Sequence, residues 1–180
     1  MWKILRQISR TGIRTEPAPD CSKPPRAEVE RIHRELLDIL GQALTIRQVD
    51  PGSCNGCELE IHALNNAVYD VERFGMRFAA SPRHADVLLV TGPVTRNMKV
   101  ALERTYAATP DPKWVVAAGD CACGCGVFEG SYAVIGAVEE VIPVDLHISG
   151  CPPRPIDLLR GLIALIDRAT AGVPARTSTP

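Results

Sequence analysis

Seven cysteines sit at positions 21, 54, 57, 121, 123, 125 and 151, and six of them fall into three tight groups. Cys54 and Cys57 form a C-x-x-C pair inside Pro51-Gly52-Ser53-Cys54-Asn55-Gly56-Cys57. Cys121, Cys123 and Cys125 alternate through Gly119-Asp120-Cys121-Ala122-Cys123-Gly124-Cys125-Gly126, and Cys151 lies in Gly150-Cys151-Pro152-Pro153. Glycine-rich turns let a backbone wrap closely and aim its N–H groups inward, which suits a group with anionic sulfurs. A proline after a cysteine restrains the chain and recurs at iron–sulfur ligands. Three chemistries compete for these thiols. A [4Fe–4S] cluster takes four thiolates, which the C-x-x-C pair plus one cysteine from each later loop supplies. Structural zinc also takes four, but usually from two short C-x-x-C knuckles, and a domain of this size needs no metal to fold. A thiol–disulfide oxidoreductase would use Cys54 and Cys57 and leave Cys121 and Cys151 without a task. The cluster accounts for the most residues and is the preferred reading.

Ligands more than sixty residues apart must be brought together by the fold. Between residues 44 and 168, short apolar runs rich in β-branched residues alternate with helical patterns, which predicts βαβ units around a buried parallel sheet. Candidate strands are Leu44 to Val49, Arg77 to Ala80, Asp86 to Thr91, Trp114 to Ala118 and Pro143 to Ile148. Candidate helices run from about Glu58 to Asn66, Asn97 to Ala107 and Ile156 to Arg168. Each of the three cysteine groups follows the C-terminal end of a predicted strand. In an open parallel sheet those ends form one edge, and ligands bind in the crevice beside them. Within the second group, a regular extended segment would turn Cys121, Cys123 and Cys125 to one side, but its glycines argue against regularity. Chemistry alone therefore leaves the choice among these three open.

The rest of the chain narrows the function classes. Its 180 residues are 46% apolar and 23% charged, as in ordinary globular proteins, and 20 basic against 21 acidic residues leave a net charge of −1. That balance gives no electrostatic case for binding nucleic acid. No stretch has the 18 or more apolar residues of a membrane span, and the N-terminus lacks the apolar core and cleavage site of a secretory signal. A reducing compartment is therefore expected, where metal binding by the cysteines is a better default than a disulfide framework. Residues 1–28 read as a basic, partly amphipathic segment followed by a linker containing Pro17, Pro19, Pro24 and Pro25, with Cys21 an incidental thiol. Val29, Ile32, Leu36, Ile39 and Leu40 recur at helical spacing and predict an amphipathic helix over 29–43. Residues 44–170 are the candidate metal-binding α/β domain, and 171–180 a flexible tail.

From about Arg47 to Leu165 the chain resembles a known family. The stretches that carry the likeness are Val49-Asp50-Pro51-Gly52-Ser53-Cys54-Asn55-Gly56-Cys57-Glu58-Leu59-Glu60, Tyr69 to Gly75, Ser81-Pro82-Arg83-His84 through Thr95, Gly119-Asp120-Cys121, and Pro143-Val144-Asp145 leading to Gly150-Cys151-Pro152-Pro153-Arg154-Pro155. They resemble the small cluster-bearing subunit shared by energy-converting [NiFe] hydrogenases and respiratory complex I, where it is the 20 kDa subunit. The resemblance implies a flavodoxin-like, doubly wound and mainly parallel α/β fold, here with an N-terminal helical extension. It also implies one [4Fe–4S] cluster on Cys54, Cys57, Cys121 and Cys151, with Cys123 and Cys125 as spare thiols of second rank. Where family members commonly have a Gly-Gly pair after the third ligand, this chain has Cys125-Gly126, which keeps a shifted ligand in view. Complex I subunits typically carry two adjacent cysteines at the first site, so the spaced Cys54 and Cys57 look like the hydrogenase branch, including the formate hydrogenlyase and hydrogenase-4 types.

The resemblance further implies an electron-transfer subunit with no catalytic residue of its own. It would be held peripherally on the cytoplasmic side of the cell membrane. Its implied partners are a large catalytic subunit of nickel–iron hydrogenase or complex I type, a ferredoxin-like iron–sulfur subunit and integral membrane subunits. The alternatives are a complex I-like quinone reductase subunit and a zinc-stabilised α/β module that binds a partner. Neither a nickel motif nor the Lys and Ser/Thr of a phosphate-binding loop is present between Gly119 and Gly130. Arg83 and His84 are candidates for tuning the cluster or for a surface role. Glu58 and Glu60 favour a helix dipole in a first turn, with a proton-relay role as the lesser option. His62 and His147 read as structural.

Overall fold

In the computed structural model of the protein, the residues described are 44–170 together with Trp2, Arg6 and Arg10, three exposed helical positions four apart. The helix expected over 29–43, the linker and the tail at 171–180 lie outside the described residues. The sheet-forming strands are β1 (Leu44–Val49), β2 (Met76–Phe78), β3 (Val87–Thr91), β5 (Trp114–Ala118) and β7 (Leu146–Ile148). All pair parallel, in the order β2-β1-β3-β5-β7. The chain steps one way from β1 to β2 and the other way from β3 through β5 to β7. That reversal between β1 and β3 is the switch point of a doubly wound, flavodoxin-like sheet.

Alternation along the strands builds two cores. Leu44, Ile46, Val87, Leu89, Trp114 and Val116 face helices α1 (Gly56–Ala63) and α4 (Pro155–Thr170), which add Ile61, Leu64, Leu158 and Leu162. Leu88, Val90, Val115 and Ala117 face the opposite way, onto Leu102 of α2 (Lys99–Ala108) and Ala122 of α3 (Asp120–Gly124). Both faces are therefore covered, which is why β3 and β5 are buried at every position and read as unbroken apolar runs. The last expected strand starts at Leu146 rather than Pro143. Pro143 has no N–H to give a ladder, and the junction is instead made by Asp145, whose N–H donates to Val115 O and whose Oδ2 accepts from Val115 N–H.

Two features were not expected. Strand β4 (Val94–Thr95) pairs antiparallel with β6 (Val134–Gly136) in a small ribbon beside the main sheet. A two-residue strand carries too little periodicity to be seen in a sequence. The second is α3 itself, which turns the alternating cysteines into a helical turn.

Candidate metal centre

The site is built from three loops at one edge of the sheet. The loop after β1 is organised by Asp50, whose Oδ1 accepts from the N–H groups of Gly52 and Ser53 at 2.8 and 2.6 Å. Asn55 N–H donates to Ser53 Oγ, and Asn55 itself takes a left-handed conformation before α1 begins. Cys54 is thereby exposed, while Cys57 lies one turn inside and is buried. The ribbon braces this loop: Thr95 donates to Pro51 O through both N–H and Oγ1.

Helix α3 sorts the second group. At 100° per residue, positions 121 and 123 diverge by about 200°. Cys121 is buried and turns toward the first loop, while Cys123 turns back and directs its Sγ at Ala117 O (3.7 Å) and Ile148 O (3.9 Å). Cys125 ends the helix with φ +63 and opens onto a separate pocket of about 490 Å³ lined by Arg96, Glu129, Tyr132 and Glu140. The extended segment considered for residues 121–125 is thus replaced by a helical turn, and its three thiols point three ways. In the third loop, Cys151 is exposed and its peptide bond to Pro152 is cis.

Burial and neighbouring charges govern the acidity of these thiols. Burial, first, and then the charges of Glu58, Cys54, Cys121 and Cys151 push Cys57 from 9.0 up to about 12. Cys121 is raised mainly by burial, opposed by a backbone N–H from Val127, with Cys151, Cys54 and Asp120 adding to the rise. Cys54, Cys57, Cys121 and Cys151 therefore bear on one another across the three loops. Cys123 is raised by burial and Asp120, and Cys125 by burial, Glu140 and Glu129.

The walls are cut to sulfur. A Cβ at Gly119, where φ is +97, would stand 2.6 Å from Cys57 Sγ, and one at Gly126 would stand 2.9 Å from Cys121 Sγ. Among the described residues, no three Cys, His, Asp or Glu side chains close on a point that one metal ion would occupy. Four thiols on three glycine-containing loops, with a backbone N–H aimed at one sulfur, are the kind of donor set an iron–sulfur group takes.

The other expected residues lie as follows. Arg83 and His84 are exposed on a turn, Pro82–His84, packed on α2. His147 is exposed beside Glu139 at 3.7 Å, and exposed His62 lines a small pocket with Arg47. Glu60 is partly exposed, whereas Glu58 is only 5% exposed and neither carboxylate oxygen has a hydrogen-bond partner. Its place in the first turn of α1 reads in the sequence as a helix-dipole position, and its burial was not foreseen. Asp50 was also passed over, although Asp-Pro-Gly-Ser is a sequence signal for such a turn.

Comparison with known proteins agrees with this architecture. Over 143 residues the chain is 42% identical to a probable membrane-bound hydrogenase subunit of Pyrococcus furiosus, covering 79% of this chain and 86% of that one. Over 112 residues it is 47% identical to an NADH-quinone oxidoreductase subunit of Citrifermentans bemidjiense, covering 62% of this chain and 65% of the relative. Among solved structures, that of the membrane-bound sulfane sulfur reductase, an archaeal respiratory membrane complex, matches with a TM-score of 0.67 at 34% identity, covering 79% of this chain and 77% of the other. Residues 54–165, which contain Cys54, Cys57, Cys121, Cys123, Cys125 and Cys151, match the model of the NADH ubiquinone oxidoreductase 20 kDa subunit family, and the chain belongs to that family.

Proposed function

We propose that this chain is the electron-transfer subunit of a membrane-associated oxidoreductase complex of the group 4 [NiFe] hydrogenase type, akin to formate hydrogenlyase and hydrogenase-4, and that Cys54, Cys57, Cys121 and Cys151 hold one [4Fe–4S] cluster. The observation that carries it is the convergence of the three cysteine-bearing loops at the C-terminal edge of the sheet, where a Cβ at Gly119, two residues before Cys121, would stand 2.6 Å from Cys57 Sγ and 3.6 Å from Gly150 O, next to Cys151. When bound, such a cluster supplies one-electron redox chemistry. The chain's residues ligate it, exclude water on the side of Cys57 and Cys121, and present the Val127 backbone N–H to the sulfur of Cys121. The hydrogenase branch is favoured by the two-residue gap between Cys54 and Cys57 and by the longer stretch shared with the hydrogenase relative. A complex I-like quinone reductase is the second reading, supported by the family itself.

Cys54 and Cys151 are exposed, and so are Leu59, two residues after Cys57, and Val127, two after Cys125. A large catalytic subunit covering this edge would bury both, leaving a ferredoxin-like subunit and integral membrane subunits as the further partners. Among the described residues no helix is long and apolar enough to cross a membrane, in keeping with peripheral attachment, which we place on the cytoplasmic side. The test is anaerobic iron and acid-labile sulfide analysis with electron paramagnetic resonance of the complex, repeated for Cys121→Ser, Cys123→Ser and Cys125→Ser. Only Cys121→Ser should destroy the native signal. Stoichiometric zinc without sulfide would overturn the cluster, and loss of signal with Cys123→Ser or Cys125→Ser instead would overturn the ligand set.

A further inference from the structure

Cys121 and Cys151 belong to loops that leave the neighbouring parallel strands β5 and β7, and the residue before each cysteine grips the other loop. Asp120 N–H donates to Gly150 O at 2.9 Å, and Gly150 N–H donates back to Asp120 Oδ1 at 2.7 Å. One residue earlier, Gly119 N–H donates to Ile148 O at 2.8 Å. The β5–β7 ladder, whose last register pair is Ala118 with Ile148, is therefore carried past the end of the strands, and its final bond is made by a side chain. Regular pairing cannot continue there, because both backbones leave the strand conformation: Gly119 has φ +97 and Gly150 φ +136.

We propose that Asp120 is a positioning residue for the metal centre, whose carboxylate locks the Cys121 loop to the Cys151 loop so that two of the four sulfurs are held in register by the protein itself. The bond joins the two backbones one residue before each cysteine, the shortest lever available to a side chain that is not itself a ligand. The grip is bidirectional, so neither loop can swing without breaking both bonds. A hydrogen bond to a charged acceptor is about twice as strong as a neutral one. The other side of the clamp has no alternative device: a Cβ at Gly150 would lie 2.6 Å from Pro153 Cα, so that position cannot carry a side chain. Cys123 supports the same junction from beneath, with Sγ directed at Ala117 O and Ile148 O, but through weaker sulfur contacts of 3.7 and 3.9 Å.

This inference rests on the four-cysteine site proposed above, and its test separates the two. The complex is purified anaerobically with wild-type chain and with Asp120→Asn, Asp120→Ala and Cys121→Ser. Three quantities are read: iron and sulfide content, the electron paramagnetic resonance line shape, and deuterium exchange of the amides over residues 149–154. Asp120→Asn keeps an acceptor oxygen without the charge, and should show exchange between that of wild type and Asp120→Ala with the wild-type line shape. Asp120→Ala should raise exchange of the Gly150 segment by about tenfold or more, the loss expected for a charge-assisted bond, and broaden or shift the signal. Should Asp120→Ala fail to accumulate, Asp120→Glu keeps the charge, misplaces the acceptor and should give the same changes. Wild-type exchange and line shape in the Ala or Glu variant would overturn the clamp, as would an Asn variant as loose as the Ala one. An unchanged signal in Cys121→Ser would instead overturn the ligand set, while the exchange data still judge the Asp120 clamp.

Discussion

Gly119 and Cys57 come from different loops, yet the hydrogen on Gly119 that a side chain would replace faces Cys57 Sγ so closely that a Cβ there would sit 2.6 Å from the sulfur. Gly119 also has φ +97, outside the range that other residues adopt readily. Gly119→Ala must therefore both strain the backbone and displace a proposed ligand. The expected result is a loss of about 1–3 kcal/mol in stability together with lower iron content of the purified complex. Denaturant melts and iron analysis check it, and full iron with an unchanged midpoint would show that the contact is not required.

Cys125 presents the opposite case. It is a non-glycine residue at φ +63 closing α3, a position glycine takes without steric cost. Its thiol faces away from the four that meet. Cys125→Gly should relieve up to about 1 kcal/mol of left-handed strain, raise the urea midpoint and leave the iron content as it was. A lower midpoint or loss of iron would give Cys125 a role in the centre.

Acidity of the buried thiols predicts a pH dependence for the metal-free chain. Burial, reinforced by Glu58 and the neighbouring cysteines, moves Cys57 from 9.0 up to about 12. Below about pH 9 the thiol is protonated in folded and unfolded chains alike, and contributes no slope. Between about pH 9 and 12 the unfolded chain has lost this proton while the folded chain still holds it, so stability falls as pH rises. Cys121, also raised, adds to the same trend. Urea midpoints of the metal-free chain should decline steadily above pH 9. Alkylation followed by mass spectrometry near pH 8 should mark exposed Cys54 and Cys151 before Cys57 and Cys121. A midpoint that climbs over this alkaline range, or early labelling of Cys57, would contradict the buried geometry.

Lys113 tests the frame rather than the site. It is 1% exposed; its Nζ donates to Tyr106 O and Thr109 O at 3.0 and 2.9 Å, pairs with Asp111 at 3.5 Å and lies 4.4 Å from the Tyr106 ring centroid. These contacts close the C-terminus of α2 where a helix leaves carbonyls without partners. Lys113→Met keeps the bulk and removes the donors, and should cost about 2–4 kcal/mol. Because Lys113 enters β5 at the end opposite the cysteines, iron content and spectrum should stay those of the wild type once the complex is assembled. A spectral change would mean that the two edges of the sheet are coupled.

The parallel strands were legible because burial on both faces writes itself as short β-branched runs: Leu44–Val49 and Trp114–Ala118 begin and end where the sequence indicates. The two-residue strand Val94–Thr95 was not, since pairing with Val134–Gly136 makes it a strand and nothing local does. Glu58 shows the same limit. Its residue type and helical position point to solvent, but the way α1 lies on the sheet edge puts it inside without a hydrogen-bond partner.

By itself, then, the sequence determined the α/β class, the placing of three cysteine groups after three strands, and hence that they share an edge, because hydrophobic period and spacing are local properties. Only the tertiary structure decided that Cys121, Cys123 and Cys125 point three different ways. Three alternating residues have no preferred direction until the chain between β5 and β7 is wound into a helical turn, and that turn forms because Gly119 and Asp120 are bonded to residues thirty positions away.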